Sequence, residues 1–316
     1  MTHWRPSADR SALVARAELL KGLREFFAER HVLEVETPLL SQAPVTDPAL
    51  ENFCVPLTGE GARYLQTSPE YAMKRLLAAG AGDIFQVCKA FRSGEVGRRH
   101  NPEYTILEWY RTDFNHTQLM REVGELICAV TGRPGWQVWS WQAAMKQVVG
   151  VDPLFMDATA LRELVLSQGL EVPSDLDRDA LWDILMSHCV EPGIRDWGVV
   201  FITDYPASQA ALARFTPESG GSLAARFECY VDGLELANGY WECTEADELA
   251  QRFEEDNRLR QRRGLAMREI DSHFLAAMLA GVPDCAGVAL GIDRLLMAQQ
   301  GLASIDAALA FDWPRA

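Results

Sequence analysis

Apolar positions along this chain recur at two spacings, and the spacing switches where the elements switch. Over residues 10–30, Leu13, Ala17, Leu20, Leu23 and Phe27 recur at intervals of three and four, which predicts a helix with that stripe inward. The apolar segment HVLEVETPLL follows, and Thr37-Pro38 ends its regular pairing because proline has no N–H to give a neighbouring strand. Residues 69–79 return to helical spacing. Residues 83–92 and 103–112 predict two strands joined by the polar loop SGEVGRRHNP. A helix is expected at about 116–131, then two helical stretches and loops across about 135–195. Strand character returns at GVVFITDYP and RFECYVDGLEL. Helices at about 245–262 and 271–280 precede a closing strand-turn-helix, GVALGIDRLLMAQQ.

Strands adjoin one another in hairpins instead of alternating singly with helices. The expected fold class is therefore α+β, an antiparallel sheet flanked by helices. No repeat, low-complexity tract or long linker divides the sequence. One domain is expected over 1–316, with about 135–195 as a helical insertion within it.

Composition narrows the chemistry. The net charge of -15 argues against a surface built to track a polyphosphate backbone, where Lys and Arg must displace condensed counterions. Any site for a phosphorylated ligand must concentrate its own positive charge. Seven scattered cysteines without a C-x-x-C pair predict reduced thiols, and the six histidines show no metal-ligand spacing. No apolar run approaches the roughly 20 residues of a membrane span, and MTHWRPSADR lacks the layout of a secretory signal. A cytoplasmic protein is expected.

Two segments carry candidate chemistry. Asp232-Gly233, between two alternating runs, predicts a two-residue hairpin turn. That turn sets Val231 against Leu234, Tyr230 against Glu235 and Glu228 against Ala237. Phe227, Cys229, Val231, Leu234 and Leu236 then face the core, and Glu228, Tyr230, Glu235 and Ala237 face the other way. Glu228 and Glu235 become diagonal neighbours about 7–8 Å apart. A hard divalent ion that also bridges to phosphate would relieve their repulsion; a solvated strand face is the alternative. In FQVCKAFR, the face of Gln86, Cys88 and Ala90 ends in Arg92, a guanidinium suited to gripping phosphate. The loop that follows adds Arg98, Arg99, His100 and Asn101.

In this order, the segments resemble the three signature motifs of class II aminoacyl-tRNA synthetases. VLEVETPLL with its preceding helix resembles motif 1, FRSGE with RRHNPEYTILEWY motif 2, and GVALGIDR motif 3. TSPEYAMKRLL, RHNPEYT and FECYVDGLELANGYWE resemble the lysyl branch in particular. The resemblance implies ATP and Mg²⁺, with Arg92 on the α-phosphate and Arg294 on the γ-phosphate as catalytic residues. Ser93, Gly94, His100, Asn101, Tyr104, Glu235, Leu236 and Gly291 would complete the ATP site, and Glu228 with Glu235 would bind Mg²⁺. Ser68, Pro69, Glu70, Tyr110, Glu242 and Ala289 would surround the amino acid, with Glu108 behind them. Motif 1 implies a homodimer.

Three departures from the lysyl pattern stand out: no anticodon-binding domain is expected, Gly94 replaces the motif 2 acid, and Ala289 replaces a glycine. The first and third resemble a paralogous branch whose acceptor is elongation factor P. That implies activation of (R)-β-lysine as its adenylate and transfer to a lysine ε-amine of that protein, with tRNA not the expected acceptor. A minimal tRNA-charging enzyme and a non-catalytic synthetase-like subunit are the rival expectations.

Overall fold

The structure is a computed structural model that describes residues 4–59 and 61–316. In chain order its elements are α1 (Arg10–Glu29), β1 (Leu33–Glu34), β2 (Leu40–Ser41), β3 (Cys54–Leu57), β4 (Gly61–Leu65), α2 (Glu70–Ala78), β5 (Ile84–Phe91) and β6 (Glu103–Thr112). Next come α3 (His116–Thr131), β7 (Trp136–Ser140), α4 (Trp141–Val149), α5 (Ala158–Ser167), α6 (Arg178–Leu185), α7 (Glu191–Gly193), β8 (Val199–Pro206), β9 (Leu223–Val231) and β10 (Leu234–Trp241). The last are α8 (Ala246–Arg262), α9 (Ser272–Gly281), β11 (Cys285–Gly291) and α10 (Ile292–Gln300). They form two compact units, residues up to Phe114 with Cys243–Ala316, and Asn115–Glu242. Pairing in both is mostly antiparallel, with helices against the strands.

In the first unit, β5, β6 and β11 form an antiparallel run with β1 parallel along the β5 edge. The predicted strands at 83–92 and 103–112 are thus present, and their alternation sorts the faces. Phe27 of α1 stacks on Phe85 with centroids 4.4 Å apart and meets Trp109 edge-on at 5.2 Å, so the odd-numbered face is core. Burying each such aromatic contributes roughly 1.5–3 kcal/mol. The even-numbered face keeps Gln86, Tyr104, Glu108 and Tyr110.

Helix α1 starts at Asp9, whose carboxylate accepts the Ala12 N–H at 2.8 Å. Its inward stripe is Ala12, Leu19, Leu23 and Phe27, while Leu13 and Ala17 are exposed. The expected stripe was rotated by about one residue in its first half because Arg16 points inward. A small sheet, β2-β4-β3, was not foreseen; its strands are too short for a periodicity.

The second unit pairs β10, β9 and β8 antiparallel, with β7 parallel to β8. Helix α3 is closed at its N-terminus by an Asn115–Gln118 capping box and at its C-terminus by Gly132 at φ 69°. Gly124 is required on α3, since a Cβ there would lie 2.7 Å from the Trp136 indole. Helices α4, α5 and α6, with the π-helical turn Met186–Val190, enclose Trp141, Leu161, Val165, Trp182 and Leu185 against Val200, Ile202 and Tyr230 of the strands. Neither β7 nor more than two of these helices was expected from the spacing of apolar residues.

The hairpin turn is as expected: Asp232 at φ 51° and Gly233 at φ 72° suit a mirror-image two-residue turn. The ladder beyond it is not. Leu234 pairs with Val231 and Glu235 with Tyr230, but a bulge between Glu235 and Ala237 sets Ala237 against Cys229 and Asn238 against Glu228. One extra residue reverses the parity of everything after it. Asn238 and Tyr240, not Ala237, therefore join the Glu228 face, and Glu242 continues that parity.

Candidate active site

The even-numbered face of the first unit begins at Glu108, in the middle of β6. Its Oε2 accepts from Ser68 Oγ at 2.6 Å and its Oε1 from Tyr110 Oη at 2.7 Å. Gln86 lies opposite it on β5 and Ala289 opposite it on β11. The residue is 2% exposed. Burial, reinforced by the charge of Glu70, pushes its carboxyl up to about 8.

Ser68 does double duty, since its Oγ also accepts the Glu70 N–H at 3.1 Å where α2 begins. Pro69 caps that helix end and is buried. Glu70 accepts Lys74 Nζ at 2.6 Å, one helical turn on, and Lys74 is fully buried. The predicted amino-acid residues Ser68, Pro69, Glu70, Tyr110 and Ala289 thus lie around one buried carboxyl. Lys74 was not anticipated.

Arg92 follows β5 directly. Its guanidinium carbon lies 5.3 Å from the Tyr104 ring centroid, and Tyr104 Oη donates to the Thr67 carbonyl at 2.7 Å. Burial pushes the Tyr104 phenol up to about 12. The ring expected near adenine thus carries Arg92 on a face. Gly94 turns at φ 85°, a conformation strained for any residue with a side chain. That turn leaves Glu95 Oε1 3.7 Å from Arg92 Nη1. The Ser93 N–H is held by the Glu51 carbonyl at 2.8 Å.

Beyond Gly94, the polar loop is tied to the end of the chain. Arg98 Nε donates to the Ala303 carbonyl at 2.7 Å, and the Ile305 N–H returns to the Arg98 carbonyl at 2.9 Å. Asn101 accepts the Trp313 N–H at 2.9 Å and donates to the Glu103 carbonyl, so both ends of its amide are engaged. Arg294, in the first turn of α10, bonds the Arg99 carbonyl at 3.2 Å and lies 2.6 Å from His100 Nε2. Burial, then the Arg294 charge, lowers the His100 pKa, which favours the neutral ring that can accept from a guanidinium. A Cβ on Gly291 would sit 3.9 Å from the Arg294 stem. Arg294, the His100 loop and Gly291 are therefore brought together within this unit.

In the second unit, Glu228 lies at the centre of a web. Arg226 Nη2 donates to Oε1, while Tyr205 Oη, at 2.6 Å, and Tyr230 Oη donate to Oε2. Arg226 Nε also reaches Asn238 Oδ1 at 3.3 Å, and Nη1 the Gln209 carbonyl at 2.7 Å. Gln209 in turn donates to Asp183 of α6 at 2.7 Å. Burial, partly offset by the Arg226 charge, pushes the Asp183 carboxyl up to about 6.

Glu235 is half-buried across from Tyr230. A carboxylate has about four acceptor positions, and three are taken on Glu228. One remains on Glu228. Leu236 is buried on the core face, which leaves its backbone as the part that could meet a nucleotide. Glu242, just past β10, is 1% exposed.

Arg16, Asp293, Lys74 and the Arg226 web were missed at the sequence level. Each is a charged residue turned inward, and spacing of apolar residues carries no mark of that. Among the described residues no group of three or more His, Cys, Asp or Glu is placed to hold a metal ion, and no helix is long and apolar enough to cross a membrane. All seven cysteines are free thiols.

Comparison with known proteins places this geometry in context. The profile for tRNA synthetases class II (D, K and N) matches residues 1–315. The elongation factor P–(R)-β-lysine ligases of Salmonella gallinarum and Salmonella dublin are each 48% identical to this chain, across 99% of it and 98% of their own length. The ligase of Salmonella paratyphi B is 47% identical over the same shares. The chain belongs to the class II (D, K and N) tRNA synthetase family.

Proposed function

We propose that this protein activates (R)-β-lysine with ATP and transfers the β-lysyl group to the ε-amine of a lysine on elongation factor P. The observation that carries the proposal is 48% identity, along nearly the whole of both chains, to ligases of that name. ATP use and amino-acid ligation follow from the family and from these relatives.

In the first step the substrate carboxylate attacks the α-phosphorus and pyrophosphate leaves, giving the β-lysyl adenylate. In the second, the acceptor amine attacks the acyl carbon and AMP leaves. The protein's part in the first step is positioning and charge balance rather than proton transfer. Arg92 holds the α-phosphate and Arg294 the γ-phosphate. Ser93, Gly94, His100, Asn101, Tyr104, Leu236 and Gly291 shape the nucleotide site. Mg²⁺, held by Glu235 with Glu228, would supply further neutralisation of the phosphates.

A substrate with two ammonium groups needs carboxylates to balance its charge. Glu70 suits the backbone-side amine, in exchange for part of its hold on Lys74, and Glu242 suits the ε-ammonium; Glu108, oriented by Tyr110 and Ser68, supports Glu70. The exposed apolar residues Leu13, Val14 and Leu33, on and just after α1, support a homodimer formed through this region.

Amino-acid-dependent pyrophosphate exchange tests the activation half. The wild-type chain should exchange with (R)-β-lysine, and Arg294→Ala should lower the rate by about a thousandfold, the usual scale for a donor to developing charge. No exchange in the wild type, or an unaffected variant, would overturn it.

A further inference from the structure

Helix α1 reaches the phosphate-binding elements through one buried ion pair. Arg16 Nη1 donates to Asp293 Oδ1 at 2.6 Å and to the Ala308 carbonyl at 3.3 Å. Its Nη2 donates to Thr105 Oγ1 at 2.6 Å. The other Asp293 oxygen, Oδ2, accepts the Thr105 N–H at 2.8 Å. Arg16, Asp293 and Thr105 therefore close a ring in which both carboxylate oxygens and both guanidinium ends are used. Asp293 is 1% exposed.

The neighbours of this ring give it consequence. Asp293 immediately precedes Arg294, and Thr105 immediately follows Tyr104, whose ring lies beside Arg92. The first turn of α10 has no side-chain cap. A carboxylate at that position would ordinarily serve the helix's own N–H groups. Here it faces α1 and β6 instead, so those bonds fix how the first turn is rotated and where the Arg294 guanidinium leaves the helix.

We infer that Arg16 is a positioning residue for Arg294, acting through Asp293 and Thr105. The inference rests on the functional reading above, in which Arg294 meets the γ-phosphate. Lysine at position 16 keeps the charge and loses the two-ended fork that holds Asp293 and Thr105 together.

The test is steady-state pyrophosphate exchange by Arg16→Lys and, as a milder cut that removes only the Thr105 acceptor, Thr105→Val. Active-site titration corrects for misfolded protein. In Arg16→Lys the KM for ATP should rise about tenfold, the scale of one lost hydrogen bond to a charged group. The KM for the amino acid should stay within about twofold on the same reasoning, since its residues are untouched. Thr105→Val should move the ATP KM in the same direction by less, while Thr105→Ser should restore it. A lower active fraction with unchanged KM for ATP in both Arg16→Lys and Thr105→Val would mean that Arg16 only packs the helix, and would overturn the inference alone. A wild-type chain without exchange would instead overturn the functional reading beneath it.

Discussion

Glu108 in the first compact unit and Glu228 in the second begin from the same local situation. Each is a buried glutamate on a strand, and each accepts two side-chain hydroxyls. They differ in one neighbour: Glu228 also receives the guanidinium of Arg226, whereas the nearby cation of Glu108, Lys74, is bound to Glu70. A buried carboxylate is inexpensive only when a cation comes with it. Glu228 carries its own counter-charge and keeps one acceptor position open. Glu108 answers burial by holding its proton to about 8, and can give it up when a ligand brings positive charge. One arginine thus separates a carboxylate with a counter-charge from one that keeps its proton.

Within this comparison, the largest effect on activity should come from Glu108. Glu108→Gln keeps the shape and the Ser68 and Tyr110 contacts but cannot ionise. It should lower kcat/KM for the amino acid by tenfold to roughly a hundredfold, about 1.5–3 kcal/mol, and leave the KM for ATP alone. Equal losses for both substrates would show that Glu108 is framework after all.

Arg226→Met should act in the opposite currency. It strands Glu228 without a cation, which typically costs about 3–5 kcal/mol and should lower Tm by roughly 5–15 °C. A Tm unchanged in thermal unfolding would remove the distinction between the two sites.

The smallest effect is a pH dependence. In the folded protein Glu108 holds its proton up to about 8, while in the unfolded chain it ionises near the ordinary glutamate value of 4.5. Between those values the folded state binds the extra proton, so this group's stabilisation is complete below about pH 4.5 and is lost as pH rises through about 8. The Tm of the ligand-free protein should therefore fall more from pH 5 to 8 in the wild type than in Glu108→Gln. Parallel curves for the two proteins would contradict the raised pKa.

The strands of both hairpins, their turn at Asp232-Gly233 and most helices were legible because alternation, helical spacing and turn chemistry are local signals. What was not legible depended on partners distant in sequence. Arg16 faces inward only because Asp293 is there to meet it, and that moved the buried stripe of α1. The bulge after Glu235 lies in Glu-Leu-Ala, without the glycine that often marks one, so Ala237 was expected on the Glu228 face, where Asn238 lies instead. Glu108 was visible as a residue of the right strand face. Its isolation from an arginine was not, because that depends on where α2 lays Lys74.

The most direct test of the central claim is the mass of elongation factor P after incubation with this protein, ATP, Mg²⁺ and (R)-β-lysine. The account predicts the gain of one β-lysyl group, dependent on ATP and absent with Arg294→Ala. An unchanged mass under conditions where the same preparation charges lysine tRNA would contradict it.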